Sequence, residues 1–326
     1  MLRKGIPMKS LPSGTQHRGR RLILRLIGAA ALLTGLLAAF LGPLEMYCFY
    51  LFSEGGRFHY EGFGFGSFMF GNLAAQIMGY YLIAAVLIPL GYGTLTLQNW
   101  ARHLTLAALR FWVVAGLPLI LAFFFVLISS KEVALPVVVV AAILLAASYL
   151  LLPGLAIRFY NSPDTRLSFK TQGPNMTWVE RIPIPVLALG YVFSFFIIIL
   201  HAQIFFNGMF PLFGVWMSGL AGIILIDISI LSLLVMFWGT LRTVRRAWWG
   251  VLAYFSLMAL SYVITLLSSS WQEILSTADF PTFETGILQG IPVQGYHLSI
   301  LVGIPFLLTI GLILRARPHF GPQDRW

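Results

Sequence analysis

The sequence predicts an all-α integral membrane protein with about eight transmembrane helices. Mean hydropathy is +0.87 and only 10% of residues are charged, whereas soluble domains run near a quarter charged. Eight apolar runs each approach the roughly 20 residues needed to cross hydrocarbon. In that solvent every backbone N–H and C=O must be satisfied within the segment, so such runs are helices; a barrel would show short alternating strands instead.

The expected spans are 22–42, 73–93, 104–127, 134–157, 184–206, 219–241, 248–268 and 297–316. They divide the chain into a basic tail 1–21, a first four-helix half 22–157, a linker 158–183, a second half 184–316 and a short tail 317–326. With the N-terminus inside, the other side keeps only Arg57 and Lys131 of the 21 basic residues, against the acids Glu45, Glu54, Glu61, Glu132, Glu273, Asp279 and Glu284. Positive residues stay inside, so both termini are expected to be cytoplasmic. Short loops and few appended segments point to a prokaryotic plasma membrane.

The first span follows a basic start but exceeds the 7–15 residues of a signal-peptide core, and it is expected to be retained. Along it Ala31, Gly35 and Ala39 repeat every fourth residue, a small-residue spacing that lets a second helix approach. Internal packing is the leading reading of that stripe, with self-association the other.

Two inside turns resemble each other. Gly93-Thr94-Leu95 precedes Trp100-Ala101-Arg102 by four residues, and Gly239-Thr240-Leu241 precedes Arg246-Ala247-Trp248 by the same interval. This spacing suggests two parallel four-helix repeats, since an even number of helices per half preserves orientation. Between the halves, Ser162-Pro163-Asp164 offers an N-cap with proline and an acid in the first turn. Thr177 and Glu180 have capping-box spacing. A short surface helix under the bundle is expected. Asn175-Met176-Thr177 matches a glycosylation sequon, but on the inside it would stay unmodified.

Few positions can carry chemistry. Asp227 lies deep in the sixth span, where an ionised acid costs about 2.5–3.5 kcal/mol or more. It is expected to face the bundle interior, take a proton or find a partner, as a proton or polar relay or as a hydrogen-bonded contact between helices. His59, His201 and His297 share the outer side, and two of them could ligate a b-type haem; hydrogen bonding at the membrane boundary explains them more simply. The stretch Gly55–Gly71, rich in Phe and Gly, suits either a lid or binding surface for lipid, quinone or a partner helix, or a plug closing the bundle at that boundary. Segment 269–296 reads as a solvated connector, its acids too widely spaced for a calcium site.

Arg102, Arg242, Arg245 and Arg246, with Trp100, Trp248 and Trp249, are expected to anchor lipid headgroups at inner helix ends. Cys48 stands alone, so neither an internal disulfide nor a thiolate metal site follows. No HExxH, GxSxG or Walker loop is present. No cofactor is expected, and the basic residues sit at membrane ends rather than on a fold that would hold nucleic acid. The leading reading is a non-enzymatic accessory or scaffold component whose partners are membrane lipids, other membrane subunits or its own copies. A transporter or channel with a central site near Asp227 comes second, and a membrane-embedded enzyme or haem-bearing electron carrier third.

Overall fold

The computed structural model describes residues 14–60, 67–129, 134–170, 177–280, 282–290 and 293–321. Residues 61–66, Lys131, Glu132, Asn175, Met176, Pro281, Pro292 and the terminal basic residues Arg3, Lys4, Lys9 and Arg325 lie outside them. Helices run in the order α1 (Gly14–Phe52), α2 (Phe68–Leu95), α3 (Asn99–Ser129), α4 (Leu135–Ala146), α5 (Leu152–Asn161), α6 (Pro163–Lys170), α7 (Trp178–Arg181) and α8 (Ile184–Ile204). A hairpin of β1 (Phe210–Leu212) and β2 (Val215–Met217) follows, then α9 (Gly219–Leu241), α10 (Arg245–Ser268), α11 (Trp271–Ala278), α12 (Thr282–Gln289) and α13 (Gly295–Ala316).

A π-helical turn, Ala147–Leu151, joins α4 to α5 just before Pro153, where proline cannot donate to the regular ladder. With α4–α5 counted as one, eight helices of the described residues are long and apolar enough to cross a membrane. This is an all-α polytopic membrane protein.

The first helix runs ten residues past its expected end, to Phe52. It is continued by its seam with α2. A Cβ on Gly28 would stand 2.5 Å from the Leu95 nitrogen, one on Gly35 2.9 Å from Ile88, and one on Gly42 3.0 Å from the Tyr81 ring. These glycines recur every seventh residue, the period of nearly antiparallel packing. The every-fourth row through Ala31 and Ala39 is therefore shared only at Gly35, and the stripe packs internally. On the α2 side, a Cβ on Gly91 would stand 2.4 Å from the Leu32 nitrogen.

The main core lies among α8, α9, α10 and α13, with α3 against α8 and α13. Phe193 stacks on Phe255 at 5.8 Å, and Phe196 meets Phe255 edge-on at 4.9 Å. A smaller core of Leu24, Leu97, Leu106, Tyr160 and Phe169 closes the basic end. The α5–α7 segment is pinned over it. Arg20 pairs with Asp164 at 2.5 Å, Thr177 and Glu180 form the expected capping box, and Glu180 Oε2 accepts from Asn99 Nδ2 at 2.6 Å.

The two similar turns share one geometry. Gln98 N–H donates to Gly93 O at 2.7 Å and Leu97 N–H to Thr94 O at 3.1 Å; Val244 donates to Gly239 at 3.1 Å and Thr243 to Thr240 at 2.9 Å. Leu97 and Thr243 occupy the same left-handed position, φ 57° and 53°, completing two Schellman caps. A Cβ on Gly93 or Gly239 would stand 2.5 or 2.6 Å from the Cβ of Ala101 or Ala247. The shared geometry is that of the turns; around them α8 also packs on α3 and α13, while α1 packs on α2 and α6.

The end opposite the basic residues is built rather than free. Phe213 and Gly214 (φ 45° and 104°) make the tight hairpin turn, with the positive φ values that match strand twist. Their amides donate to Ser261 Oγ and Thr265 Oγ1 of α10 at 3.0 and 2.9 Å, and Trp216 Nε1 donates to Ser269 Oγ at 2.8 Å. The 269–296 segment, expected as a solvated connector, keeps many exposed residues but is also folded and tied to its neighbours. Trp271 Nε1 donates to Leu288 O at 2.9 Å, Asn207 Nδ2 to Thr277 O at 2.9 Å, and Met69 N–H to Glu284 Oε1 at 3.2 Å. Among the described aromatic-loop residues, Phe58 stacks on Phe52 at 4.9 Å, and Phe70 meets Phe205 edge-on at 5.6 Å.

Candidate functional site

Helix α9 begins at Gly219, and Asp227 follows about 12 Å into it at 1.5 Å per residue. One face of the helix is buried through Gly222, Ile226, Ser229, Ile230 and Leu233. Asp227 lies on the other face. It is exposed beside Ile224 at 49%, Ile228 at 54% and Leu231 at 62%, and no hydrogen bond or ion pair to it is found among the described residues. The expectation that it turns into the bundle is corrected by this geometry. The interior of α9 is filled by aliphatic and small side chains, so the 3.6-residue period leaves Asp227 outward.

A second acid lies on a spanning helix unannounced. Glu45, expected in the first outer loop, lies on the extension of α1 and accepts from Tyr80 Oη at 3.0 Å. Gly71 contacts Phe206 just past the end of α8, and Tyr80 lies about 13 Å further along α2. Glu45 therefore lies within the α1–α2 seam, well away from that end of the bundle. Gln76 Nε2 donates to Tyr80 Oη at 3.4 Å, and Glu45 Oε2 is buried without a hydrogen-bond partner. The signal in the sequence was the spacing of Gly28, Gly35 and Gly42, which carries the helical seam to the level of Glu45.

Two of the three histidines are held by local hydrogen bonds. His59 is exposed in the loop after α1 at φ 45°. His201 Nδ1 lies 2.8 Å from Ile197 O, one turn back. His297 Nδ1 accepts from the Gln294 amide at 3.2 Å, and its ring lies 3.9 Å from Tyr296. Among the described residues, no group of three or more His, Cys, Asp or Glu side chains is arranged to hold a metal ion. Cys48 is exposed.

The basic end separates the anchoring residues into two kinds. Arg102 is 6% exposed and donates to Tyr160 O at 2.9 Å, so it staples α3 to α5 instead of reaching headgroups as expected. Trp248 is likewise buried and donates to Ile313 O at 2.8 Å, while Trp100 packs half-buried against the main core. Arg242, Arg245, Arg246 and Trp249 are exposed. Arg242 stands 4.6 Å over the Trp238 ring, and Arg317 5.6 Å over Trp248. Arg245, Trp248, Trp249, Arg317, Pro318 and Phe320 line a cleft of about 290 Å³. Two guanidinium groups with no acid among the lining residues suit an anionic phosphate.

No family model, no curated protein and no solved structure matches this chain.

Proposed function

We propose that this chain is a non-enzymatic accessory component of a membrane assembly, lying in a prokaryotic plasma membrane with both termini cytoplasmic. Its partner chain presents a transmembrane helix with a Lys or Arg at the depth of Asp227. The observation that carries this reading is the exposed Asp227 carboxyl among Ile224, Ile228 and Leu231. A carboxyl facing lipid is costly, and a basic side chain on a neighbouring helix removes that cost by pairing. A second copy is a poorer fit, because a parallel two-fold pair would bring two identical carboxyls together at one depth. At the other end, the Arg245–Arg317 cleft supplies contact with anionic headgroups.

The transport alternative needs Asp227 to line a pathway, and a position on the outer face of α9 gives it none to line. A photo-crosslinking residue at Ile228, compared with one at Leu37 on the exposed face of α1, tests the assembly reading. The expected result is a discrete adduct at 228 alone, to a helix with a basic residue at matching depth, lost in Asp227→Leu while that variant still inserts and folds. An adduct that survives Asp227→Leu, an adduct to a second copy, or diffuse lipid labelling at both positions would overturn it.

A further inference from the structure

A long apolar groove runs between α3, α8, α10 and α13, apart from both the Asp227 face and the basic cleft. It consists of two adjoining clefts of about 200 and 240 Å³. They share Phe195, Phe196, Leu301 and Pro305 and so adjoin along one wall. Pro118 of α3 and Pro305 of α13 both line it from helix interiors. A proline there lacks the N–H of the ladder and its ring crowds the carbonyl four residues back, which works against close helix packing.

The dimensions fit one leaflet. From Val192 to Gln203 the α8 wall rises about 16 Å, and half of a hydrocarbon core is about 15 Å. Leu119 and Ile199, 51% and 38% exposed, stand at the edge that opens toward lipid. The lining includes no charged side chain.

The end away from the basic residues is polar in one specific way. Gln203 Nε2 donates to Tyr262 Oη at 2.5 Å, and Gln203 Oε1 is buried with no partner. The two ends of an amide are interchangeable in such a network. Turned over, Gln203 would accept from Tyr262 and leave its NH₂ unpartnered instead. A hydroxyl, which both donates and accepts, satisfies either arrangement.

We propose that this groove binds a neutral single-chain lipid with a hydroxyl head, its hydrocarbon tail along Phe195, Leu301 and Pro305 and its hydroxyl on the free end of the Gln203 amide. A fatty-acid carboxylate or a phospholipid phosphate finds no cation in the lining to meet it. The site is independent of the assembly reading above.

The test uses the full chain in phosphatidylcholine nanodiscs and hexadecanol carrying a diazirine on its chain. After photolysis, label concentrates on the Phe195–Gln203 and Leu301–Phe306 peptides, and unlabelled hexadecanol displaces it while hexadecane and palmitate do so weakly. Gln203→Leu lowers the labelling by about three- to tenfold, the worth of one hydrogen bond, and Leu301→Trp, which fills the shared wall, abolishes it. Label spread evenly over the lipid faces of α1 and α4 would overturn the site, as would displacement by hexadecane equal to that by hexadecanol. Wild-type labelling of Gln203→Leu would overturn the assigned head. The competition on the unaltered protein stands whether or not a variant folds.

Discussion

Tyr80 donates its hydroxyl to Glu45 at 3.0 Å across the α1–α2 seam, about 13 Å below the level where Gly71 meets Phe206. Among the described residues it is the one hydrogen bond found for the Glu45 carboxyl, whose other oxygen is buried and unpartnered. Tyr80→Phe removes that donor and should lower the melting temperature, because an unpartnered acceptor is left at the seam. Glu45→Leu removes both oxygens at once and should leave the chain at least as stable as the parent. Thermal unfolding in detergent compares the two, and a Tyr80→Phe variant that melts with the parent would remove this bond from the stability of the pair.

The same seam depends on the absence of side chains at particular glycines. A Cβ on Gly91 would lie 2.4 Å from the Leu32 backbone nitrogen, whereas one on Gly79 of the same helix would meet nothing within 4 Å. Gly91→Ala must push two backbones apart and should destabilise by about 1–3 kcal/mol. Gly79→Ala should be neutral or slightly stabilising, because alanine is the better helix former. Equal melting temperatures for the two variants would contradict the close approach of α1 and α2.

The basic end offers a sharper contrast between identical residue types. Arg102 is buried and donates to Tyr160 O, whereas Arg245 is exposed on the cleft with Arg317. Arg102→Ala leaves a buried carbonyl without its donor and should lower stability by about 1–3 kcal/mol. Arg245→Ala should stay within about 0.5 kcal/mol and instead weaken association with anionic lipid. Melting curves, read beside lipid retention in native mass spectra, separate these effects; equal melting losses for both variants would contradict the division.

The distinction between those arginines marks how far the sequence could be read. Long apolar runs specify helices in lipid whatever their neighbours, and for that reason α9 spans the residues expected of it, Gly219–Leu241. The two similar turns were legible too, since Gly93 and Gly239 have fixed offsets from Ala101 and Ala247. Orientation about a helix axis was not. In water the polar face identifies itself, but in lipid both faces of α9 are aliphatic, so nothing local shows that Ile226 turns inward and Asp227 outward. Glu45 was misplaced for a related reason: an apolar run ends at a charge, yet its helix continues wherever a neighbouring hydroxyl donates to that charge. The Gln203–Tyr262 pair joins residues 59 apart, and the Ser261–Thr265–Ser269 ladder was invisible until the hairpin that uses it was in place.

Orientation in the membrane gives the broadest test. The α5–α7 segment shares the basic end with the start of α1, through Arg20 and Asp164, and the Phe213–Gly214 hairpin closes the opposite end. Positive residues are retained on the cytoplasmic side during insertion, so a single cysteine at Leu167, 48% exposed on α6, should react only after the membrane is opened. One at Phe213, 49% exposed in the hairpin, should react in intact cells. Cys48 is replaced by serine first, because it is exposed and would react on its own. Reaction of the Leu167→Cys variant in intact cells, with the Phe213→Cys variant protected, would reverse the membrane orientation. The partner residue for Asp227 and the hydroxyl for Gln203 would then be sought at the mirrored depths, while the fold and the groove themselves would stand.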